Sequence, residues 1–298
     1  MKEKSFMNTS SFFWTKLFTA WIYFSPAWFR RFLGNCIGFL WWDLLRIRRK
    51  VVFDNLQIAF PEKDLAWKNQ IARKSIQGMG QSLIEFSVLP WLNPSWIEKN
   101  VVFENEEAFH QAQQQGKGVL LLSLHLGNGD LAASILSMRG HRIHVISKKF
   151  KTKWVNDLWF GIRVAKGAMF IDPHGTKTPF QILSACKKNE GVVFVNDQFM
   201  GKPYGIETTF FGHPTGTAYG LALFAIKTGA PVLPVYTFRD SLGKTHIAFG
   251  DILPMVEHPD RQEQIHLLTQ KYTDTIEELV RRYPDQWMWV HRRWKKWE

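Results

Sequence analysis

The sequence predicts an α/β layered domain whose mostly parallel central sheet is covered by helices, preceded by a hydrophobic helical anchor segment. Two observations carry this. Apolar, β-rich runs at 118–124, 142–147, 168–172, 191–196 and 231–238 alternate with helical stretches around 130–139, 176–188, 217–228 and 260–282, and near-continuous apolar strands are those buried on both faces. The chain also opens on a crowd of aromatic residues unlike anything after residue 50.

Taken in order, residues 10–45 hold two apolar runs separated by Arg30 and Arg31 and followed by a basic cluster from Arg46 to Lys50. Leu17 to Phe29 is 13 uncharged residues and Phe32 to Trp42 is 11, against the ~20 that a simple spanning helix needs. The segment reads as a membrane anchor, either lying in the interface or spanning with Lys16 snorkelling, with a buried helical hairpin as the alternative. No small-residue cleavage site follows either run and Glu3 interrupts the N-region, which argues against a signal peptide. The expected division is an anchor segment at 1–50 and a catalytic domain at 51–298. From Val51 to Leu92, apolar residues at three-and-four spacing with Pro61 and Pro90 as punctuation predict helices.

Composition narrows the partners. Lys and Arg outnumber Asp and Glu by 38 to 26, a formal charge of +12, so the partner is anionic: nucleic acid, anionic lipid or an acidic protein. With 14 Trp and 24 Phe the balance shifts to a membrane bilayer and away from nucleic acid, because Trp suits the membrane–water boundary. Cys36 and Cys186 are the only cysteines and form no C-x-x-C pair, so neither a disulfide framework nor a structural zinc site is supported. A reducing, cytoplasmic setting fits.

The chemistry concentrates in "GVLLLSLHLGNGDLAAS", residues 118–134. A strand running into His125 delivers its imidazole to the C-terminal edge of the sheet, where open α/β sheets place their sites. Asp130, five residues on, can cap the helix that Gly140 ends. It can also meet His125 across a turn that Gly127 and Gly129 permit, fixing the tautomer so that the other nitrogen takes a proton from a hydroxyl. The same glycines form a degenerate dinucleotide fingerprint, which an NADP-dependent oxidoreductase would follow with Lys148 and Lys149 instead of an acid. His141 and His144 lie three apart on the next strand and so face opposite sides, poor co-ligands for a metal.

With His125, Gly127, Gly129 and Asp130 in place, the chain resembles the late acyltransferases of bacterial lipid A biosynthesis, the lauroyl and myristoyl transferase family. The likeness runs through nearly everything after residue 28: "NLQIAFPE" at 55–62, "HLGNGD", "GIRVAKGAMFI" at 161–171, "GVVFVNDQ" at 191–198, "TTFFGHPTGTAYGLALFAIKTGAPVLPV" at 208–235 and "YPDQWMWVHRRWK" at 283–295. The H-x4-D/E spacing alone is shared with glycerolipid acyltransferases generally, and some members carry Glu where this chain has Asp130. The resemblance implies a glycerolipid-acyltransferase-like fold on the cytoplasmic face of the inner membrane. It implies transfer of a fatty acyl chain from acyl carrier protein to a hydroxyl of a phosphorylated glycolipid, a lipid A precursor, with no metal or redox cofactor.

Under that resemblance His125 is the general base and Asp130 its orienting partner. Arg163 matches a family arginine and is a candidate for the oxyanion or an acceptor phosphate, although by itself it reads as a solvated surface cation. Asp197 sits at another strand end, to orient Arg163 or the acceptor, or simply to cap a loop. Asn128 is a further candidate for substrate or oxyanion contact, and Arg292 and Arg293, with Lys295 and Lys296 between Trp294 and Trp297, suit phosphates at a headgroup surface. The runners-up are another lipid O-acyltransferase, the oxidoreductase and a noncatalytic lipid-binding protein.

Overall fold

The structure is a computed structural model that describes residues 9–295 and residue 297. Glu3 and Lys296 lie outside the described residues. Two helices come first, α1 (Thr9–Phe24) and α2 (Ala27–Phe39), the second running into a π-helical turn at Leu40–Leu44. Then follow α3 (Arg49–Ala59) and α4 (Leu65–Val88), the helices expected between Val51 and Leu92, and α5 (Pro94–Asn100) beyond that stretch. Capping residues set their starts, Asp64 accepting from Trp67 N at 2.7 Å and Asn93 accepting from Trp96 N at 2.9 Å ahead of Pro94.

The layered domain runs β1 (Val101–Glu104), α6 (Glu106–Gln114), β2 (Val119–Ser123), α7 (Gly129–Met138), β3 (Ile143–Ile146), α8 (Lys153–Val164), β4 (Met169–Ile171), α9 (Thr178–Lys187) and β5 (Gly191–Val195). It continues through β6 (Gly205–Phe210), β7 (His213–Ala218), α10 (Gly220–Thr228), β8 (Val232–Arg239), β9 (Thr245–Phe249) and α11 (Arg261–Arg282). The main sheet has the order β1-β9-β8-β2-β5-β3-β4, with β8, β2, β5, β3 and β4 parallel. Only the edge pair departs: β9 lies antiparallel to β8, and β1 parallel to β9. The mostly parallel sheet is therefore as the apolar runs predict, each of the five runs having become one of the parallel strands.

Strand period two explains why those runs are apolar throughout. On β2, Leu120 and Leu122 enter the core under α9, α10 and α11, while Val119 and Leu121 enter the core under α6 and α7. Helices cover both faces. The strands that sequence periodicity did not resolve are β1 at the sheet edge, β9 beside it and the separate β6–β7 hairpin, which mixes exposed and buried positions; helices α5, α6 and α8 also fall outside the helical stretches that it marks.

The N-terminal helices answer the anchor expectation in part. Among the described residues no helix is long and apolar enough to cross a membrane. Instead α2 lies on α4 at a glycine contact: a Cβ on Gly80 would stand 2.2 Å from the Gly34 carbonyl oxygen, and one on Gly34 would stand 2.6 Å from Gln81 Cα. The backbones touch. On the outer side Phe18 is 83% exposed and Trp28 63% exposed, with Trp14, Trp21 and Phe24 also exposed, a patch larger than scattered surface apolar residues require. Gly80→Val should overpack this contact at a cost of about 1–3 kcal/mol or more, lowering Tm by several degrees and opening the α1–α2 hairpin to protease. A melting curve and cleavage pattern equal to wild type would contradict the close packing.

Candidate active site

Strand β2 is buried along its whole length, and the chain leaves it through buried Leu124 into His125, whose side chain is 40% exposed at the sheet edge. The turn that follows is fixed by backbone geometry. Gly127 has φ +58°, and a Cβ there would lie 2.5 Å from the Thr237 carbonyl oxygen, so glycine is obligatory. The Thr237 hydroxyl accepts from Asn128 N at 2.8 Å and donates to the Leu126 carbonyl at 2.7 Å, clamping the turn to β8.

Asn128, not Asp130, is the N-cap of α7: its side-chain oxygen accepts from Leu131 N at 3.1 Å. Its amide donates to Glu85 at 2.8 Å, and the residue is buried. Both ends of the Asn128 side chain are thus committed to structure, which corrects its assignment as a substrate or oxyanion contact. A two-residue shift of the helix start moves Asp130 from cap to first turn, where a carboxylate still favours the helix dipole.

The imidazole partner is Asp197. Its Oδ1 lies 2.8 Å from His125 Nδ1, and its Oδ2 accepts the His125 backbone N–H at 2.9 Å and the Trp287 indole N–H at 2.7 Å. Asp130 makes its ion pair with Arg163 instead, Oδ1 accepting from Nη1. The expected pairing is therefore redistributed: β5 ends beside β2 in the sheet and carries Asp197 to the histidine, while α8 brings Arg163 to α7. Spacing along the chain cannot show either contact, since the partners stand 72 and 33 residues apart.

Electrostatics sharpen the pair. Burial opposes ionisation of Asp197, yet the His125 charge, both His125 hydrogen bonds and the Trp287 hydrogen bond hold its pKa at about 2. Burial also opposes the charged imidazole, but the Asp197 charge and hydrogen bond outweigh it and raise His125 above the ordinary histidine value. With Nδ1 occupied by the carboxylate, Nε2, which the Gln198 amide approaches at 3.4 Å, is the nitrogen that can act as a base.

Arg163 is 3% exposed rather than a surface cation, with its guanidinium against Phe160 and Phe170 at 4.7 and 4.5 Å from the ring centres. Burial lowers its pKa and Asp130 opposes that shift. Its Nη2 is buried with no hydrogen-bond partner, a donor left over.

His125, Asp130 and Arg163 all line one cavity of about 720 Å³. Much of its lining is apolar, including Ala133, Leu136, Ile143, Val193 and Trp159. Lys148 lines it too, while Lys149 pairs with Asp172 at 3.6 Å. On another side the wall includes Trp41, which follows directly on exposed Phe39 and Leu40.

The C-terminal segment departs from expectation. Arg292 is exposed, but Arg293 is 1% exposed and donates to the Gly216 carbonyl and to Thr217 Oγ1, with burial taking its pKa to about 10 against the pull of Asp197. Arg293 is an internal brace and not a phosphate contact, because it is buried with its guanidinium bonded to β7. Trp294 is ordered against Phe210, its indole donating to the Phe210 carbonyl at 3.0 Å. Among the described residues no group of three His, Cys, Asp or Glu side chains could hold a metal ion, and His144 is occupied by Glu190 at 2.6 Å.

A family model described as bacterial lipid A biosynthesis acyltransferase matches residues 1–296. The chain belongs to that family. It is 26% identical over 271 residues to the lipid A biosynthesis palmitoleoyltransferase of Escherichia coli (strain K12), covering 89% of this chain and 84% of that relative. It is 25% identical over 270 residues to the lipid A biosynthesis lauroyltransferase of the same organism, covering 88% and 84%. A phosphatidylinositol mannoside acyltransferase of Mycobacterium tuberculosis is 24% identical over 224 residues, covering 74% and 69%. Membership in the family makes the chain an acyltransferase and sets aside the oxidoreductase and the noncatalytic lipid binder.

In this acyltransferase the His125 ring should titrate above 6.5, and Asp197→Asn should lower it, since burial is then opposed only by the weaker field of Asp130. Histidine titration by NMR reads both. An unmoved His125 in a folded Asp197→Asn protein would break the coupling.

Proposed function

We propose that this chain transfers a fatty acyl group from acyl carrier protein to a hydroxyl of a phosphorylated lipid A precursor, working on the cytoplasmic face of the inner membrane. The observation that carries the reading is a carboxylate-bonded histidine on a largely apolar cavity that is also lined by Arg163, a buried guanidinium paired with Asp130 and left with one unused donor, Nη2. Family membership and the lipid A names of two relatives support the acceptor.

The chemistry needs no group beyond the chain and its two substrates. His125 Nε2 removes the proton from the acceptor hydroxyl as its oxygen attacks the thioester carbonyl carbon. The carbonyl oxygen becomes an oxyanion, and in this reading Arg163, paired with Asp130, supplies the cationic donor that stabilises it. Collapse re-forms the carbonyl, breaks the carbon–sulfur bond and releases the thiolate, which takes the proton from the imidazolium. An ester and a free carrier thiol leave. The acyl tail lies along the apolar wall at Leu136 and Ile143.

The net charge of +12 favours an acidic carrier protein and an anionic bilayer. Exposed Trp14, Phe18, Trp21 and Trp28 set the hairpin into the interface, which brings the lipid acceptor to the cavity side lined by Trp41. Replacing Trp14, Phe18 and Trp28 together by Ser should release the protein from anionic vesicles in a flotation assay, given ~1.5–3 kcal/mol for each large apolar side chain withdrawn from water. Retention equal to wild type would place the attachment elsewhere.

His125→Ala should lower turnover ~10²- to 10⁴-fold while leaving the fold and vesicle binding in place. The assay supplies an acyl carrier protein thioester with, in parallel, a lipid A precursor, lysophosphatidic acid and a mannosylated phosphoinositide, the last because of the mycobacterial relative. Transfer to the lipid A precursor alone supports the reading. Transfer only to one of the others reassigns the acceptor, and a fully active His125→Ala protein removes the base.

A further inference from the structure

The segment after α11 does more than close the chain. Leu126 and Trp287 form an antiparallel bridge, Met288 N donates to the His125 carbonyl at 3.1 Å, and Gly127 N donates to the Gln286 carbonyl at 3.3 Å. One short stretch thus holds the backbone on both sides of the histidine. From the same stretch the Trp287 indole, 1% exposed, sends its N–H to Asp197 Oδ2 at 2.7 Å. The ring cannot swing away, because Trp289 packs edge-on at 4.6 Å and its own carbonyl is tied to Ser75.

The other charged or titratable groups around His125 are otherwise occupied. Asp130 on α7 is paired with Arg163 from α8. His291 accepts the Phe199 N–H through Nε2 at 3.1 Å, which requires a neutral ring at that nitrogen. Arg293 sends Nη1 and Nη2 to Gln198, Gly216 and Thr217 and makes no hydrogen bond to Asp197, its Nε being buried without a partner among the described residues. Of the two Asp197 oxygens, Oδ1 serves the imidazole, while Oδ2 is held by one backbone N–H and by the indole. The indole is thus the one side chain other than His125 that donates to this carboxylate among the described residues.

We propose that Trp287 is a positioning residue for acyl transfer, its indole N–H fixing the orientation and charge of Asp197 and through it the basicity of His125. The inference rests on His125 being the base. Losing a donor leaves a carboxylate more avid for protons, which grips the Nδ1 proton harder and stabilises the imidazolium. The base is then protonated at higher pH, and the acid limb of kcat/KM moves up. A carboxylate freer to rotate also lowers the plateau.

The test compares pH profiles of kcat/KM for full-length protein in vesicles: wild type, Trp287→Phe, and a protein carrying 3-benzothienylalanine at position 287, which keeps the shape of the indole and replaces N–H by sulfur. Trp289→Phe is the packing control, since that indole donates to the Pro284 carbonyl at 2.7 Å and does not touch Asp197. Both position-287 variants should show an acid limb raised by about half to one pH unit and activity at neutral pH reduced ~10-fold, the scale of one hydrogen bond to a charged group. Trp289→Phe should melt earlier with its limb unmoved. Should Trp287→Phe fail to fold, the isosteric variant decides. A wild-type limb and rate in the 3-benzothienylalanine protein overturns the proposal, as does an equal limb shift in Trp289→Phe. His125→Ala in the same series separates the two ideas: if it is inactive while the position-287 limb stays put, only the role of Trp287 falls, whereas an active His125→Ala protein removes the base itself.

Discussion

Asp197 is a carboxylate 2% exposed at the end of a buried strand, and an ion in that setting persists only if donors replace the water it has lost. Three donors come from two distant parts of the chain: the His125 backbone and ring at the end of β2, and the Trp287 indole from the segment after α11. Satisfying that one charge therefore pins the sheet edge, the histidine and the C-terminal segment to one another. The clamps around it serve the same end, with Thr237 of β8 holding the turn after His125 and Arg293 holding the loop after Asp197.

The division of labour between the two acids follows from what each can reach. Asp130 faces a guanidinium that is almost wholly buried, and a buried charge without its counter-ion costs about 3–5 kcal/mol. Loss of Asp130 would thus disturb Arg163 first and His125 only through the longer-range field, whereas Asp197 bonds the ring directly. The H-x4-D motif of this chain thus holds a histidine bonded to Asp197 and an aspartate bonded to Arg163. Both halves of the motif line the same cavity, without a bond between them.

The N-terminal hairpin resolves a tension between two readings of its apolar surface. Small residues at Gly34, Gly38 and Gly80 let α2 lie on α4 at backbone contact, so one face is buried as a core hairpin would be. The opposite face keeps its tryptophans and phenylalanines in the open. Apolar residues on both sides of a helix explain why a hydropathy pattern could not separate burial from membrane contact.

Much of the fold was legible because the parallel strands lie in a sheet covered by helices and so leave apolar runs, which is why β2, β3, β4, β5 and β8 were found, while half-exposed β6 and β7, the edge strand β1 and its neighbour β9 were not. Glycine chemistry at Gly127 and the strand-to-histidine junction likewise identified His125 from the chain alone, and motif likeness drew Arg163 and Asp197 into the site. Which acid bonds the imidazole was decided by sheet order: β5 lies next to β2, so Asp197 arrives beside His125 from 72 residues away, and the nearer Asp130 is turned toward α8 by the helix it begins. The burial of Arg293 and the reach of Trp287 have the same origin. Local sequence specifies what each segment can form, and a hydrogen bond between segments exists only once packing has brought its donor and acceptor within about 3 Å.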